Sequence, residues 1–166
     1  MTSSKGSSTR VTQYWLMKSE PGEFSIDDLR KKKKHHWDGV RNFEARNFMR
    51  DKMRIGDLVL FYHSNATPSG VVGIAKVASS PYPDFTQWDK ASKYFDKKAG
   101  EEKPIWFMVD VAFVEQFPRT IKRSELQNTA ALKSMALWKR NRLSITPVTK
   151  KEFEVIQKLA SKTSLA

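Results

Sequence analysis

The spacing of apolar residues divides the chain into strands and helices. A short apolar run at residues 14–17, followed by a proline–glycine turn, predicts a first strand. Residues 58–62 and 71–77 are rich in β-branched and aromatic side chains, which is typical of two neighbouring antiparallel strands. Residues 105–117 predict the longest strand, because apolar side chains occupy both alternating faces, and residues 142–148 predict a short one.

Four segments have helical patterns. Ser25 stands before two carboxylates, at a position suited to cap a helix, and residues 43–54 place apolar side chains at i, i+3 and i+4. Residues 124–139 are predicted to be mostly helical. Thr149 and Glu152 have capping-box spacing before an amphipathic pattern, so they predict a final helix near the end of the chain.

The remaining segments complete the predicted architecture. The polar segment 79–103 contains two prolines and predicts a long loop or short helix over one mouth of the sheet. Together the elements predict an α+β domain, in which helices surround a curled antiparallel or mixed β-barrel of five or six strands. Since the sequence has no internal repeat, one domain over residues 13–160 is the simplest partition. Residues 1–12 and 161–166 are predicted to be flexible tails.

Charge is the most informative property of the composition. The 30 Lys and Arg residues outnumber the 18 Asp and Glu residues, which gives a formal net charge of +12 and a pI near 9.9. Such an excess concentrates polyanions, of which nucleic acid is the commonest, although an incidental basic surface has the same composition. The sequence has no run of about 20 apolar residues and no secretory signal at its start. We therefore expect an intracellular protein without a membrane partner.

The candidate chemistry is limited. The sequence has no cysteine, which excludes disulfides, thiolate nucleophiles and Cys-based zinc sites. The three histidines are His35, His36 and His63, and no HExxH or comparable spacing of histidine and carboxylate surrounds them. We therefore expect neither a metal nor a cofactor.

Four separate blocks of sequence resemble one known family. The blocks are Trp15-Leu16-Met17-Lys18-Ser19-Glu20-Pro21, Trp37-Asp38-Gly39-Val40-Arg41-Asn42 with Ala45-Arg46-Asn47, Phe61-Tyr62-His63-Ser64-Asn65, and Arg142-Leu143-Ser144-Ile145-Thr146-Pro147-Val148. In this order, across residues 14–156, they are similar to the EVE domain family, although Glu44 stands where Gln is expected. The resemblance implies a PUA-like pseudo-barrel that binds modified cytosines or other modified bases in DNA or RNA, with no established catalytic activity. It also implies a nuclear protein if the chain is eukaryotic and a cytoplasmic one if it is bacterial, and we expect a monomer.

A reader of this kind must hold an extruded base against aromatic surfaces and satisfy its polar edge. Trp37, beside Gly39, is the predicted stacking platform, with burial in the core as the alternative. Ser19 and Asn65 are predicted to contact the base edge, although local turn hydrogen bonds would also explain them. The full predicted base pocket consists of Trp15, Lys18, Ser19, Trp37, Gly39, Val40, Arg41, Asn42, His63, Ser64, Asn65, Tyr82 and Asp84.

Phosphate contacts are predicted for a second set of residues. Arg46 and Arg142 carry guanidinium groups that suit bidentate binding, and Lys31, Lys32 and Lys33 add diffuse attraction, although such a run is also typical of a solvated helix end. A methyl group contributes only ~0.8 kcal/mol of burial. Selectivity among modified bases is therefore expected to be moderate and to depend on hydrogen bonds.

Two other functions are considered. An RNA-processing hydrolase would use His63 beside Ser64, but adjacent strand residues point to opposite faces and do not readily form a nucleophile–base pair. A protein-interaction module would use the amphipathic C-terminal helix. Its binding would be insensitive to salt, whereas phosphate binding is strongly salt-dependent.

Overall fold

The computed structural model describes residues 11–162. Residues 1–10 and 163–166, which make up most of the two predicted tails, lie outside the described residues. The helices and strands, in chain order, are β1 (Tyr14–Ser19), α1 (Ile26–Lys32), β2 (Lys34–His36), α2 (Phe43–Asn47), β3 (Leu58–His63), β4 (Gly70–Val77), β5 (Tyr82–Pro83), β6 (Phe107–Met108), β7 (Asp110–Lys122), α3 (Arg123–Gln127), α4 (Ala136–Lys139), β8 (Ile145–Val148) and α5 (Lys150–Ser161). Among the described residues, no helix has the length and apolar character needed to cross a bilayer.

Six of the strands form one curled, mixed sheet in the order β2-β7-β4-β3-β1-β8. β1 and β3 run parallel, and the other neighbours are antiparallel. Register shifts at Phe61/Tyr62 and along the β4–β7 pair bend the sheet, because a bulge adds an unpaired residue and increases the local twist. The sheet remains open at β2 and β8, so it is a half-barrel. This architecture confirms the predicted α+β class and the predicted curled sheet of five or six strands, of which six are present.

Alternating strand residues divide the interior into two cores. Trp15, Met17 and Phe61 belong to the core between the sheet and helices α1 and α2. Leu16 and Leu60 face the other side, where the apolar face of α5 covers them. Thr149 is the N-cap of helix α5 and forms the predicted capping box with Glu152, so that local prediction is confirmed.

Two predicted elements differ in extent from the sequence pattern. The helix predicted over residues 43–54 is α2 followed by a π-helical turn, Phe48–Lys52, in which the Met53 amide donates to the Phe48 carbonyl. The strand predicted over residues 105–117 is interrupted near Val109, because β6 pairs with β5 in a small second sheet, whereas β7 joins the main one. Strand β7 then continues to Lys122, beyond the predicted end.

Candidate functional site

A cavity of about 590 Å³ opens where β1 and β3 end. Because these strands are parallel, their carboxyl ends lie at the same edge of the sheet. The Ser64 amide donates to the Ser19 carbonyl (N···O 3.0 Å), and the Lys18 amide donates to the Ser144 carbonyl (N···O 2.9 Å). The cavity is lined by Lys18, Ser19, Glu20, Glu23, Phe24, His35, His36, Trp37, Asp38, Gly39, Val40, Arg41, Ser64, Asn65, Lys93, Tyr94, Asn141, Arg142 and Ser144.

One wall of the cavity is the loop that follows β2. The Trp37 amide donates to the Val109 carbonyl (2.9 Å), and the Gly39 amide donates to the Asp84 carboxylate (2.8 Å). Asp84 is fully buried. Burial would raise the pKa of Asp84, but hydrogen bonds from Thr86, Gly39 and Arg41 outweigh it and hold the pKa below its ordinary value. The loop is therefore anchored at its first and third residues to a buried, ionised group.

Arg41 fixes the same loop from its other end. Its guanidinium donates five hydrogen bonds, which reach the carbonyls of Tyr94 and Val40, the Asp84 carboxylate and the Thr86 hydroxyl. Since an arginine has five N–H donors, none is left for a ligand. Arg41 lines the cavity as predicted, but it is a structural clamp there.

Trp37 combines the two roles that the sequence left as alternatives. Its side chain belongs to the core between the sheet and helices α1 and α2, where its ring meets Phe61 edge-on (centroids 5.4 Å apart). The residue is 7% exposed. The same residue lines the cavity. Trp37 is therefore an indole held rigidly by the core at the boundary of a hollow.

Other aromatic rings complete the walls, and the sequence did not indicate them. Tyr94 packs so closely against Gly39 that a Cβ at Gly39 would lie 2.6 Å from its ring. Phe24 stacks on His35, with ring centroids 4.7 Å apart, and His35 lies against His36. Tyr94 is on the predicted long loop, but the contact with Gly39 depends on tertiary packing that no local pattern reveals.

The polar groups of the cavity divide into engaged and available ones. The Ser19 hydroxyl donates to the Phe24 carbonyl (2.6 Å), and the Lys18 ammonium donates to the Asn141 carbonyl (2.9 Å). Burial, and then the charge of Arg123, lowers the pKa of Lys18. Within residues 11–162, the cavity side chains that form no hydrogen bond include Asp38, Ser64, Asn65 and Arg142.

Four residues predicted for the pocket lie outside it because they have structural partners. Trp15 is 3% exposed and donates its indole N–H to Asp57 (3.1 Å). Asn42 caps α2 by accepting from the Ala45 amide. Tyr82 lies on the small second sheet, and its hydroxyl donates to Asp110 of β7 in the main sheet. These placements, with that of Asp84 behind the loop, correct the predicted pocket.

His63 is also outside the cavity. Its Nε2 accepts a hydrogen bond from the Ile26 amide (3.1 Å), at the first turn of α1, so the ring must be neutral at that nitrogen. Burial lowers the pKa of His63, which favours this neutral form. The imidazole therefore joins α1 to β3, and this role corrects its predicted place in the pocket.

The predicted phosphate-binding residues occupy three different settings. Arg46 donates to the Ile105 carbonyl and the Asn47 side chain, and it packs over Phe43, so its donors are largely engaged. Arg142 is exposed at the cavity rim. Lys31, Lys32 and Lys33 are exposed at the end of α1 and do not line the cavity.

Three potential metal ligands lie close together in the described part of the chain. One ligand atom each from His35, His36 and Asp38 lies within 4.8 Å of the others. Burial, and then the neighbouring His36, lowers the pKa of His35. Sequence spacing did not predict this group, because two adjacent histidines have no characteristic ligand pattern.

The fold is a half-barrel domain, in which helices cover a curled mixed sheet. It has a candidate binding site, the aromatic cavity at the ends of the parallel strands β1 and β3. A model of the EVE domain matches residues 13–159, and the chain belongs to the EVE domain family. Thymocyte nuclear protein 1 of Mus musculus is 41% identical over 177 residues, which cover 95% of this chain and 78% of the mouse protein.

Solved structures show the same relationship. A hypothetical protein from Leishmania major superposes with a TM-score of 0.88 at 50% identity, over 90% of this chain and 95% of that one. The human THYN1 protein, in complex with DNA that contains 5-methylcytosine, superposes with a TM-score of 0.85 at 40% identity. That match covers 92% of this chain and 100% of the human one. These similarities confirm the family predicted from the four sequence blocks.

Proposed function

We propose that this chain is a non-catalytic reader of a modified base, and that the cavity beside Trp37 holds that base after it leaves the nucleic-acid stack. The observation that carries the proposal is the cavity itself, in which a core-anchored indole borders available hydroxyl, amide and carboxylate groups. The similar human THYN1 structure contains 5-methylcytosine DNA, and this supports DNA as the partner.

The cavity has the properties that an extruded base requires. Its volume of about 590 Å³ is sufficient for a single base with part of its sugar, and it lies within the range of roughly 300–1,000 Å³ that is common for ligand sites. Stacking on an aromatic surface contributes about 1–3 kcal/mol per base. Ser64 and Asn65 offer donors and acceptors to the polar edge of the base. The walls supply attraction for any base, and the polar groups select among bases.

Charge supports binding to the nucleic-acid backbone. The net charge of +12 attracts phosphates over the whole surface, and exposed Arg142 stands at the rim where the sugar–phosphate of an extruded nucleotide would lie. We assign Arg142 to phosphate contact. Lys31, Lys32 and Lys33 contribute only diffuse attraction in this proposal, because they lie away from the cavity.

The structure offers no support for hydrolysis by His63. Its Nε2 already accepts from the Ile26 amide, and the neighbouring Ser64 is on the cavity wall, so the two side chains have separate roles. The RNA ligand, the monomeric state and a nuclear or cytoplasmic location remain expectations. The name of the mouse relative supports a nuclear location in a eukaryote.

A blocked cavity tests the proposal. Ser64→Trp places a large ring in the hollow without removing a hydrogen bond of the Ser64 side chain, and Ser80→Trp makes the same change at an exposed position outside the cavity. The assay measures affinity for two duplexes that differ only in one 5-methylcytosine, at two salt concentrations. We expect Ser64→Trp to abolish the preference for the modified duplex and to keep the salt-dependent affinity for both.

The control Ser80→Trp should retain both properties. Equal affinity of the unmodified chain for the two duplexes would refute base reading in this form. A preference that survives in Ser64→Trp would place the base elsewhere, and affinity that is insensitive to salt would favour the protein-interaction module.

A further inference from the structure

We propose that Asp38 makes this site selective for a pyrimidine that carries an exocyclic amine, so that it accepts methylated cytosine and rejects thymine. The inference rests on the proposed function, because it names the group that reads the edge of the bound base. Thymine is the critical competitor, since it has a methyl group at the same ring position as 5-methylcytosine and differs on its polar edge, where it has a carbonyl in place of the 4-amine and a hydrogen on N3.

The position of Asp38 fits this role. It stands on the loop between Trp37 and Gly39, whose backbone amides are both held by hydrogen bonds, so its backbone is fixed. Its side chain is 31% exposed and lines the cavity. Its ion-pair partner is the imidazole of His36, whose Nε2 lies 3.7 Å from Oδ1, beyond hydrogen-bonding distance. Within the described residues, this half-buried carboxylate therefore has its acceptor capacity free.

The chemistry of a carboxylate makes the discrimination one-sided. An ionised carboxylate only accepts hydrogen bonds, so it pairs well with the amine of cytosine and is repelled by the 4-carbonyl of thymine. The amine contact is charge-assisted, which makes it stronger than a neutral hydrogen bond. The methyl group, by contrast, adds only about fourfold in affinity through burial. Because thymine has the same methyl group, methyl burial contributes nothing to its rejection, and the difference between amine and carbonyl must supply that selectivity.

The other cavity carboxylates are less suited to this contact. Glu23 pairs with Lys93 (3.0 Å), and its side chain is 55% exposed. Glu20 is exposed on the turn after β1. Neither is next to the core-anchored indole in the chain, as Asp38 is. Glu20 is nevertheless useful as a control, because it is a carboxylate at the same cavity.

A factorial measurement separates the amine from the methyl group. Cytosine, 5-methylcytosine, uracil and thymine are each placed opposite an abasic site in one duplex sequence, so that extrusion breaks no base pair. The ratios of 5-methylcytosine to cytosine and of thymine to uracil give the methyl effect. The ratios of 5-methylcytosine to thymine and of cytosine to uracil give the amine effect. EDTA is present throughout, so that a metal bound by His35, His36 and Asp38 does not contribute.

We expect an amine effect on the order of tenfold or more for the unmodified chain, and a methyl effect near fourfold. Asp38→Asn should reduce the amine effect to about twofold or less and leave the methyl effect unchanged, because an amide can present either its oxygen or its NH₂ to the base. The matched variant Glu20→Gln removes the same charge from the same cavity, and it should keep both effects.

The outcomes distinguish the two proposals. A methyl effect without an amine effect in the unmodified chain would overturn the role of Asp38 and leave base reading intact. An amine effect that persists in Asp38→Asn, or that Glu20→Gln loses to the same degree, would also overturn it. If the unmodified chain shows neither effect, base reading itself fails, and the role of Asp38 fails with it.

Discussion

Replacing Asp84 with asparagine should destabilise the fold and loosen the cavity wall at the same time. Asp84 is fully buried, and its two oxygens serve different partners. Oδ2 accepts from the Gly39 amide (2.8 Å) and from Arg41 (3.1 Å), whereas Oδ1 accepts from the Thr86 amide (2.8 Å) and the Thr86 hydroxyl. An asparagine side chain has a single oxygen, so it can accept on only one of these sides.

The cost follows from the groups that lose their acceptor. If the amide NH₂ faces Thr86, the Thr86 hydroxyl can rotate and accept, but the Thr86 amide is left without a partner, at about 1–3 kcal/mol. Arg41 also loses the negative partner of its ion pair, and breaking such a partly buried pair adds a comparable amount. We therefore expect Asp84→Asn to lower the free energy of unfolding by about 2–5 kcal/mol.

Urea unfolding measures this cost, with Asp51→Asn as the matched control. Asp51 pairs with the adjacent Arg50, but its side chain is 45% exposed and solvent screens the pair, so its loss should lower the free energy of unfolding far less than the loss of Asp84. Asp84→Asn should also weaken the preference for a modified base, because the Gly39 loop loses rigidity. A change in unfolding free energy within 1 kcal/mol for Asp84→Asn would refute the view that Asp84 holds the cavity wall.

Three further predictions concern other parts of the fold. Gly39 has φ +86°, and a Cβ there would lie 2.6 Å from the Tyr94 ring. Gly39→Ala should therefore lower the free energy of unfolding in urea by about 1–3 kcal/mol. The control Gly22→Ala should not, because nothing lies within 4 Å of a Cβ at that position. Burial lowers the pKa of His63 in the folded protein, so its contribution to stability is complete above pH 6.5 and is lost as the pH falls. Thermal stability should therefore decrease between pH 6.5 and 5, and His63→Gln should make this decrease less steep. An equally steep decrease in His63→Gln would contradict the prediction. Alanine at Lys31, Lys32 and Lys33 together should weaken binding of methylated and unmethylated DNA equally, and a changed ratio would show direct contact with the base.

Local signals in the sequence were sufficient for most of the elements and for the mouth of the sheet, but not for β2 or for the break between β6 and β7. Strand-ending Ser19 and Ser64 could be placed together, because β1 and β3 have matching apolar patterns and both end in polar residues. Trp37 could be identified from the sequence as a candidate stacking platform. The sequence does not distinguish a tryptophan that belongs to both the core and the cavity wall from one that belongs to only one of them. Its two roles follow from the position of the loop after β2, which lies over the core between the sheet and helices α1 and α2.

The partners of buried charges could not be predicted in the same way. Arg41 and Asp84 were both assigned to the base pocket because they are polar residues in suggestive segments. They instead form an ion pair across 43 positions of the chain, together with the Tyr94 carbonyl. The same long-range packing brings Tyr94 to the cavity and leaves the Asp38 carboxylate without a hydrogen bond among the described residues. Sequence patterns report periodicity, whereas these roles depend on which distant groups satisfy one another's hydrogen bonds.

The most direct test of the central claim is a comparison of backbone amide shifts in two complexes. Uniformly ¹⁵N-labelled protein is bound at saturation to a duplex with cytosine or with 5-methylcytosine at one position, so that a methyl group is the sole difference between the two samples. We predict shift differences confined to the cavity, at Trp37, Asp38, Gly39, Ser64 and Asn65. Differences centred on the lysine run of α1 or on α5, with the cavity amides unchanged, would contradict the claim that the modified base enters this hollow.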